Sequence, residues 1–283
     1  MAEKLALVLG GGGNLGAVEV GFIQRMTELG IEPDFIVGTS VGALNASYVA
    51  FHDPQGHDCF HDVWTGLRGK KLFHKSLPRI ALQLWRSRMS LYDDSFVSGI
   101  IRSHLREDDF RAARIPLHIT ATNIVTGRRE IFSKGSISQA VLASTAIPGL
   151  FPPVEIDHAL YVDGGVSAGT DIAAAVELGA TQIIAVDLKP GLLPRRPKNV
   201  VELLTRSLEV IAEERSTCTI EHAHHQANVV HIRPGITAQD SAGFEDVDRL
   251  LRESYSLACS VFGQCWDGRS LRPGNYGSGG GVP

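Results

Sequence analysis

The stretch Asp34-Phe-Ile-Val-Gly-Thr-Ser-Val-Gly-Ala-Leu-Asn-Ala-Ser-Tyr-Val-Ala-Phe51 decides the fold. Its first residues read as a short buried strand, Gly38-Thr-Ser-Val-Gly42 as a sharp turn, and Ala43 to Phe51 as an Ala/Leu-rich helix. A similar unit precedes it. Leu5-Ala-Leu-Val-Leu9 runs into the glycine-rich loop Gly10 to Gly16, followed by a helix from Ala17 to Leu29 with Gly30 as its C-terminal stop. Strands that alternate with helices predict an α/β fold, here a three-layer α/β/α sandwich with a mostly parallel central sheet.

Working outward, Leu117-His-Ile-Thr-Ala-Thr122, Glu130-Ile-Phe132, Leu160-Tyr-Val162, Ile183-Ile-Ala-Val186 and Val229 to Ile232 read as further strands. Helices are expected at Ser138 to Ser144, Ile172 to Leu178, about Val200 to Ala227, and Asp246 to Phe262. Residues 52–115 are irregular and read as a lid-like insertion in a single domain of residues 1–273. The Gly/Ser-rich residues 274–283 read as a disordered tail. With 27 Lys+Arg against 31 Asp+Glu, the net charge of -4 lacks the basic excess of a nucleic-acid binder. Cys59, Cys218, Cys259 and Cys265 are scattered without a C-x-x-C, which predicts neither a disulfide framework nor a zinc site and makes the reducing cytoplasm the expected compartment. The apolar run Leu5 to Leu9 is too short for a signal-peptide core, and no uninterrupted apolar stretch is long enough for a bilayer span. Any membrane contact is therefore expected to be peripheral.

The glycine loop contains Gly11-x-Gly13-x-x-Gly16, which also suits a dinucleotide-binding turn. That reading needs an acid at the far end of the second strand, where this chain has Gly38-Thr39-Ser40. What remains is a row of exposed backbone N–H groups at a helix N-terminus, suited to negative charge, or simply tight strand-helix packing. Gly38-x-Ser40-x-Gly42 has the form of a nucleophile elbow, in which a strained turn pushes the serine hydroxyl clear of the backbone. A serine hydroxyl needs a base and an oxyanion site before it is a competent nucleophile. None of the eleven histidines occupies a comparable strand-end turn: His222, His224 and His225 fall on an expected helix, and His118 and His231 in expected strands. Asp163, before Gly164 and Gly165, ends a strand, and a partly desolvated carboxylate there can act as general base.

Glycine loop, serine elbow and Asp-Gly-Gly, in that order over about residues 5–190, resemble the patatin-like phospholipase family. The segment Ala143-Ser-Thr-Ala-Ile-Pro-Gly-Leu-Phe-Pro-Pro153 is similar to that family's connection before its catalytic aspartate. The resemblance implies a lipid acyl hydrolase of the patatin-like fold with a Ser40-Asp163 dyad and an acyl-serine intermediate. It places the oxyanion hole on the backbone amides of Gly11, Gly12 and Gly13, and implies neither cofactor nor metal. An acyltransferase using the same acyl-enzyme, or a catalytically weak lipid-binding protein, are the alternatives. Two departures stand out. Leu15 replaces the basic residue that usually precedes the loop's last glycine, and Val166-Ser-Ala-Gly-Thr-Asp171 replaces the usual paired asparagines and proline.

The insertion carries Lys70, Lys71, Lys75, Arg79, Arg86 and Arg88 without acids, while Leu77, Ile80, Ala81, Leu84 and Trp85 recur at helical spacing. Two readings stand: a lid helix packed on the core, or peripheral contact with an anionic membrane.

Overall fold

A computed structural model describes residues 3–52, 57–70, 83, 88–105, 107–189, 196–197, 200–238 and 243–277. The centre is a mostly parallel sheet built from β1 (Leu5–Leu9), β2 (Phe35–Thr39), β3 (Leu117–Asn123), β7 (Gln182–Val186), β8 (Asn228–Arg233) and β9 (Gly274–Gly277). These lie side by side in the order β3-β2-β1-β7-β8-β9. Antiparallel to β3 run β4 (Arg128–Phe132) and β6 (Ala159–Asp163), and β5 (Val154–Ile156) forms a hairpin with β6. Side chains along each central strand alternate between two helical layers. Leu7, Leu9, Ile36, Ile184 and Val186 join the larger core, whereas Ala6, Val8, Phe35, Val37, Ile183 and Ala185 join the other.

The helices are α1 (Gly16–Glu28), α2 (Val41–Phe51), α3 (His57–Thr65), α4 (Ser95–His104), α5 (Ile137–Ser144), α6 (Ile172–Glu177), α7 (Val200–His224) and α8 (Val247–Cys265). The larger core draws on α1 to α5 and α8, while α6 and the C-terminal end of α7 cover the opposite face through Ile172, Ala174, Ala175, Ile220 and Ala223. The three-layer sandwich expected from the strand-helix alternation is thus the one observed.

The structure departs from expectation in two places. Gly274–Gly277, read as part of a disordered tail, pairs in parallel with β8, and Asn275 Oδ1 meets His231 Nδ1 at 3.1 Å. Backbone pairing and one buried histidine hold this edge without an apolar pattern. At the described ends of the lid-like insertion, Phe60, Val63, Trp64 and Leu67 on one side and Val97, Ile100 and Ile101 on the other belong to the main core. Lys71, Lys75, Leu77, Arg79, Ile80, Ala81, Leu84, Trp85 and Arg86 lie outside the described residues.

The second departure positions the site. β3 pairs with β2 over Leu117–Thr120, then with β6 over Ala121–Asn123. Pro116 carbonyl accepts from Ile36 N–H, and Ile124 N–H donates to Leu160 carbonyl. An even number of residues apart on an alternating strand, 116 and 124 face the same edge. β2 and β6 therefore meet head to head along one edge of β3. Asp163 does end a strand, as expected, but that strand arrives antiparallel, from beyond the rim.

Candidate active site

β2 ends at Thr39, and the chain turns so sharply into α2 that Ser40 adopts φ 55°, ψ -125°. A side-chain-bearing residue rarely takes such a φ, and the strain persists only where the surroundings enforce it. Enforcement comes from both flanks. A Cβ on Gly38 would lie 2.6 Å from Ala43 Cα, and one on Gly42 would collide with the Leu9 and Gly10 backbone. The Ser40 N–H donates to Ser144 Oγ at 2.8 Å, and Ser144 Oγ donates to the Thr120 carbonyl at 2.6 Å. Ser144, at the end of α5, thereby clamps the elbow to β3; in the sequence it stands as one more small residue at a helix end.

Where β2 and β6 abut, Ser40 Oγ donates to Asp163 Oδ2 at 2.7 Å. Gly165 N–H donates to the other carboxylate oxygen at 2.7 Å, which fixes the plane of the group. The Asp163 backbone is held too, its N–H by Ala146 carbonyl at 2.9 Å and its carbonyl by Thr122 Oγ1 at 3.0 Å. Burial pushes the Asp163 carboxyl up to about 6, against the pull of its hydrogen bonds from Ser40 and Gly165. The site thus holds a hydroxyl against a carboxylate whose proton affinity lies close to neutrality, the arrangement a general base requires. Among the described residues no histidine contacts Ser40. His231 is instead buried beside Asp187, its Nε2 3.4 Å from Oδ2.

The glycine loop passes over the elbow. A Cβ on Gly11 would lie 3.3 Å from Ser40 Cβ, making this glycine a close neighbour of the hydroxyl. Its amide, however, points elsewhere: Gly11 N–H donates to the Gly169 carbonyl at 3.1 Å, as Gly10 N–H does to Val186. All three amides of Gly11 to Gly13 are expected at the oxyanion from the resemblance, but only those of Gly12 and Gly13 find no acceptor among the described residues. Gly13 has φ +59°, which turns the loop into the short 3-10 segment Gly13–Leu15. Gly16 packs against Val41 and Trp64, where a Cβ would collide, and Gly164 sits as tightly on Thr120 and Thr39.

Both departures from the family pattern have a physical place. Leu15 packs on the main core, and Asn14 Nδ2 ties the loop to the Gly243 carbonyl at 2.7 Å. The Lys189 amine occupies the space that a Gly169 Cβ would take, bringing a cation to the turn that accepts from Gly11. Asp171, in the stretch that replaces the usual asparagines and proline, is buried and caps α6 through Ala174 N–H at 3.0 Å. It also accepts from Thr120 Oγ1 at 2.8 Å and pairs with Arg129 at 2.7 Å.

Beneath the loop lies a polar cluster that motif reading missed. Asn45 Nδ2 donates to Glu19 Oε2 at 2.6 Å and to the Gly16 carbonyl at 2.9 Å, while its Oδ1 accepts from Trp64 Nε1 at 3.1 Å. Burial holds the Glu19 carboxyl well above the usual carboxylate range, against the hydrogen bond from Asn45. On the other side of the loop, Asp187 accepts from Thr170 Oγ1 at 2.9 Å, fixing the turn that receives Gly11. Burial opposes its charge, yet His231, Lys189 and Arg233 hold its carboxyl well below the usual range.

The family model for patatin-like phospholipases matches residues 7–176, which include the loop, the elbow and Asp163. The chain belongs to that family. Among relatives of this patatin-like chain, lysophospholipase nte1 of Aspergillus terreus is 33% identical over 189 residues, 66% of this chain and 12% of that protein. An uncharacterized NTE family protein of Mycobacterium tuberculosis is 30% identical over 196 residues, 69% of this chain and 32% of that protein. Patatin-like phospholipase domain-containing protein 7 of Mus musculus is 27% identical over 190 residues, 66% of this chain and 14% of that protein. The chain therefore spans less than a third of the length of these relatives. VipD from Legionella pneumophila aligns in structure with a TM-score of 0.48 at 16% identity, covering 92% of this chain and 67% of that one. No helix of the described residues is long and apolar enough to cross a membrane.

Proposed function

We propose that this patatin-like domain is a lipid acyl hydrolase that cleaves carboxylic esters through an acyl-Ser40 intermediate. The observation that carries the reading is the 2.7 Å hydrogen bond from Ser40 Oγ to the buried Asp163 carboxylate at a strained elbow. Ser40 Oγ attacks the ester carbonyl as its proton passes to Asp163 Oδ2. The negative oxygen of the tetrahedral intermediate is received by the Gly12 and Gly13 amides. Collapse breaks the ester C–O bond, and the Asp163 proton goes to the departing alcohol. A water then gives its proton to Asp163 and attacks the acyl carbon, which releases the fatty acid and returns the proton to Ser40. The lipid character of the substrate is supported by the family and by relatives named as lysophospholipases.

The test is covalent labelling by a fluorophosphonate probe, read as intact mass on wild type, Ser40→Ala and Asp163→Asn. Wild type is expected to gain one adduct and Ser40→Ala none. Asp163→Asn is expected to lose turnover of lipid esters by about a thousandfold, the range of a general base, with its fold retained. Full esterase activity in Ser40→Ala overturns the proposal; unchanged turnover in Asp163→Asn moves the base role to another group.

A further inference from the structure

We infer that the N-terminal half of α7, together with the β3–β4 turn, is the face on which the protein rests against a neutral or zwitterionic lipid surface carrying its substrate. This rests on the hydrolase reading above and adds to it the surface from which the ester is drawn.

The first observation is length. α7 runs beside a β-strand layer whose parallel strands, such as β7, have five residues or so. Five residues of strand rise about 17 Å. Twenty-five residues of helix rise about 37 Å. The helix is anchored low, where Ala223 is buried and Asn228 begins β8. Glu213 reaches rim height, pairing at 2.7 Å with Arg233 at the end of β8. The residues before Glu213 accordingly stand beyond the rim, on the same side as Ser40, which also follows the C-terminal end of a parallel strand.

The second observation is polarity. Val200, Leu203, Leu204, Val210 and Ile211 are exposed, at 71%, 54%, 56%, 43% and 47%. At 100° per residue these positions, with Ser207, share an arc of roughly 120°. Glu202, Arg206 and Glu213 cluster on a separate, neighbouring arc and are half-buried. Among the described side chains of this segment, the charged ones are thus less exposed than the aliphatic ones. A water-facing helix would have the reverse.

The third observation comes from a different element. β3 continues past the dyad, and the turn at its end exposes Ile124 at 45% and Val125 at 76%. Two separate elements thus place aliphatic groups beyond the same rim, as an interfacial enzyme requires. The charge pattern selects the lipid. Along the outer arc of α7 the described side chains include no cation for anionic head groups, and the chain's net charge is -4. Arg128, exposed at the base of the β3–β4 turn, suits the phosphate level of a zwitterionic layer. A second copy of the chain is a poorer occupant, because a stable dimer face takes roughly 20–30 residues a side, against seven exposed aliphatic side chains on this face, five on α7 and two on the turn.

The experiment uses the Ser40→Ala variant of the whole chain described above, so that binding is measured without turnover, in flotation with phosphatidylcholine vesicles at low and high salt. Partition is expected at both. Leu203→Glu with Leu204→Glu is expected to lower it roughly a hundredfold, and Val125→Asp about tenfold, as aliphatic contact is lost. Both sites are exposed and Glu is a good helix former, so thermal melts of the double variant are expected to match the parent. In the Ser40 background the same variants keep turnover of a soluble short-chain ester but lose it on vesicle-embedded ester. Unchanged flotation of the double variant overturns the docking face. A dimer by light scattering that becomes monomeric in that variant, with no vesicle binding by the parent, overturns it in favour of a second copy. Flotation without fluorophosphonate labelling of wild type upholds the surface and removes the hydrolase reading; labelling without flotation does the opposite.

Discussion

At the scale of single residues, Asp163 makes the most definite statement. Its carboxyl titrates at about 6 in the folded protein, against 3.8 for the free side chain, because burial disfavours the charged form. The folded chain therefore holds this proton more tightly than the unfolded chain. Stability is unaffected below about pH 4, where both are protonated, and declines as pH rises through about 6. Above that window the cost is about 3 kcal/mol. Asp163→Asn is expected to melt at a higher temperature than wild type at pH 8, with the gap closing at pH 4. A gap of equal size at both values would remove ionisation as its cause. For the same reason kcat/KM on a soluble ester is expected to rise to a plateau with one inflection near pH 6, measured as a pH profile. The Ser40–Asp163 pair of the proposed dyad was legible from the sequence because a strained Gly-x-Ser-x-Gly turn and an Asp-Gly-Gly strand end each leave a compositional trace. Ser144 was not, since a hydroxyl that clamps the elbow amide looks like any small residue at a helix end. The commitment of the Gly11 N–H to Gly169 also escaped, because amide direction is a property of backbone geometry that glycine leaves unmarked.

Between elements, contact is decided by missing side chains and by one buried amide. Gly42 on α2 lies on the Leu9 carbonyl at the end of β1, and that backbone has no room to retreat. Gly42→Ala is expected to cost about 2–3 kcal/mol, read by chemical denaturation, because overpacking here displaces main chain rather than a flexible side chain. Asn45 is the shared partner of Trp64, Glu19 and the Gly16 carbonyl. Asn45→Ala strands the Trp64 N–H and the Glu19 carboxyl together, for an expected loss of about 2–4 kcal/mol. Asn45→Asp is expected to be worse at neutral pH than at pH 5, because it sets a second acid beside Glu19; denaturant midpoints at the two pH values measure the difference. Most strands and helices were legible to within a few residues, since buried parallel strands are continuous apolar runs and α1 and α6 end at glycines of positive φ, Gly30 and Gly179. The direction of β6 was not, because Leu160-Tyr-Val162 reads alike in either orientation. β9 was invisible, since Gly-Asn-Tyr-Gly pairs through backbone alone.

Across the whole molecule, protection should follow the layers. In native-state hydrogen exchange, amides of β1, β2 and β7, covered on both faces, are expected to exchange most slowly, and those of residues 200–211 among the fastest within helices. Slow exchange at 200–211 in the isolated protein would mean that something in the chain already covers that segment. The meeting of β2 and β6 along one edge of β3 has a further consequence. Ser40 and Asp163 are 123 positions apart and make contact only when both strands have docked on the same partner. Such a contact is non-local and comes late in assembly, after the local strand-turn-helix units have formed. A nascent or partly unfolded chain that already possesses its elbow still has no carboxylate beside it. Recovery of the proposed esterase turnover during refolding should then lag behind the return of helical signal, because the hydroxyl meets its carboxylate only once both strands are in place.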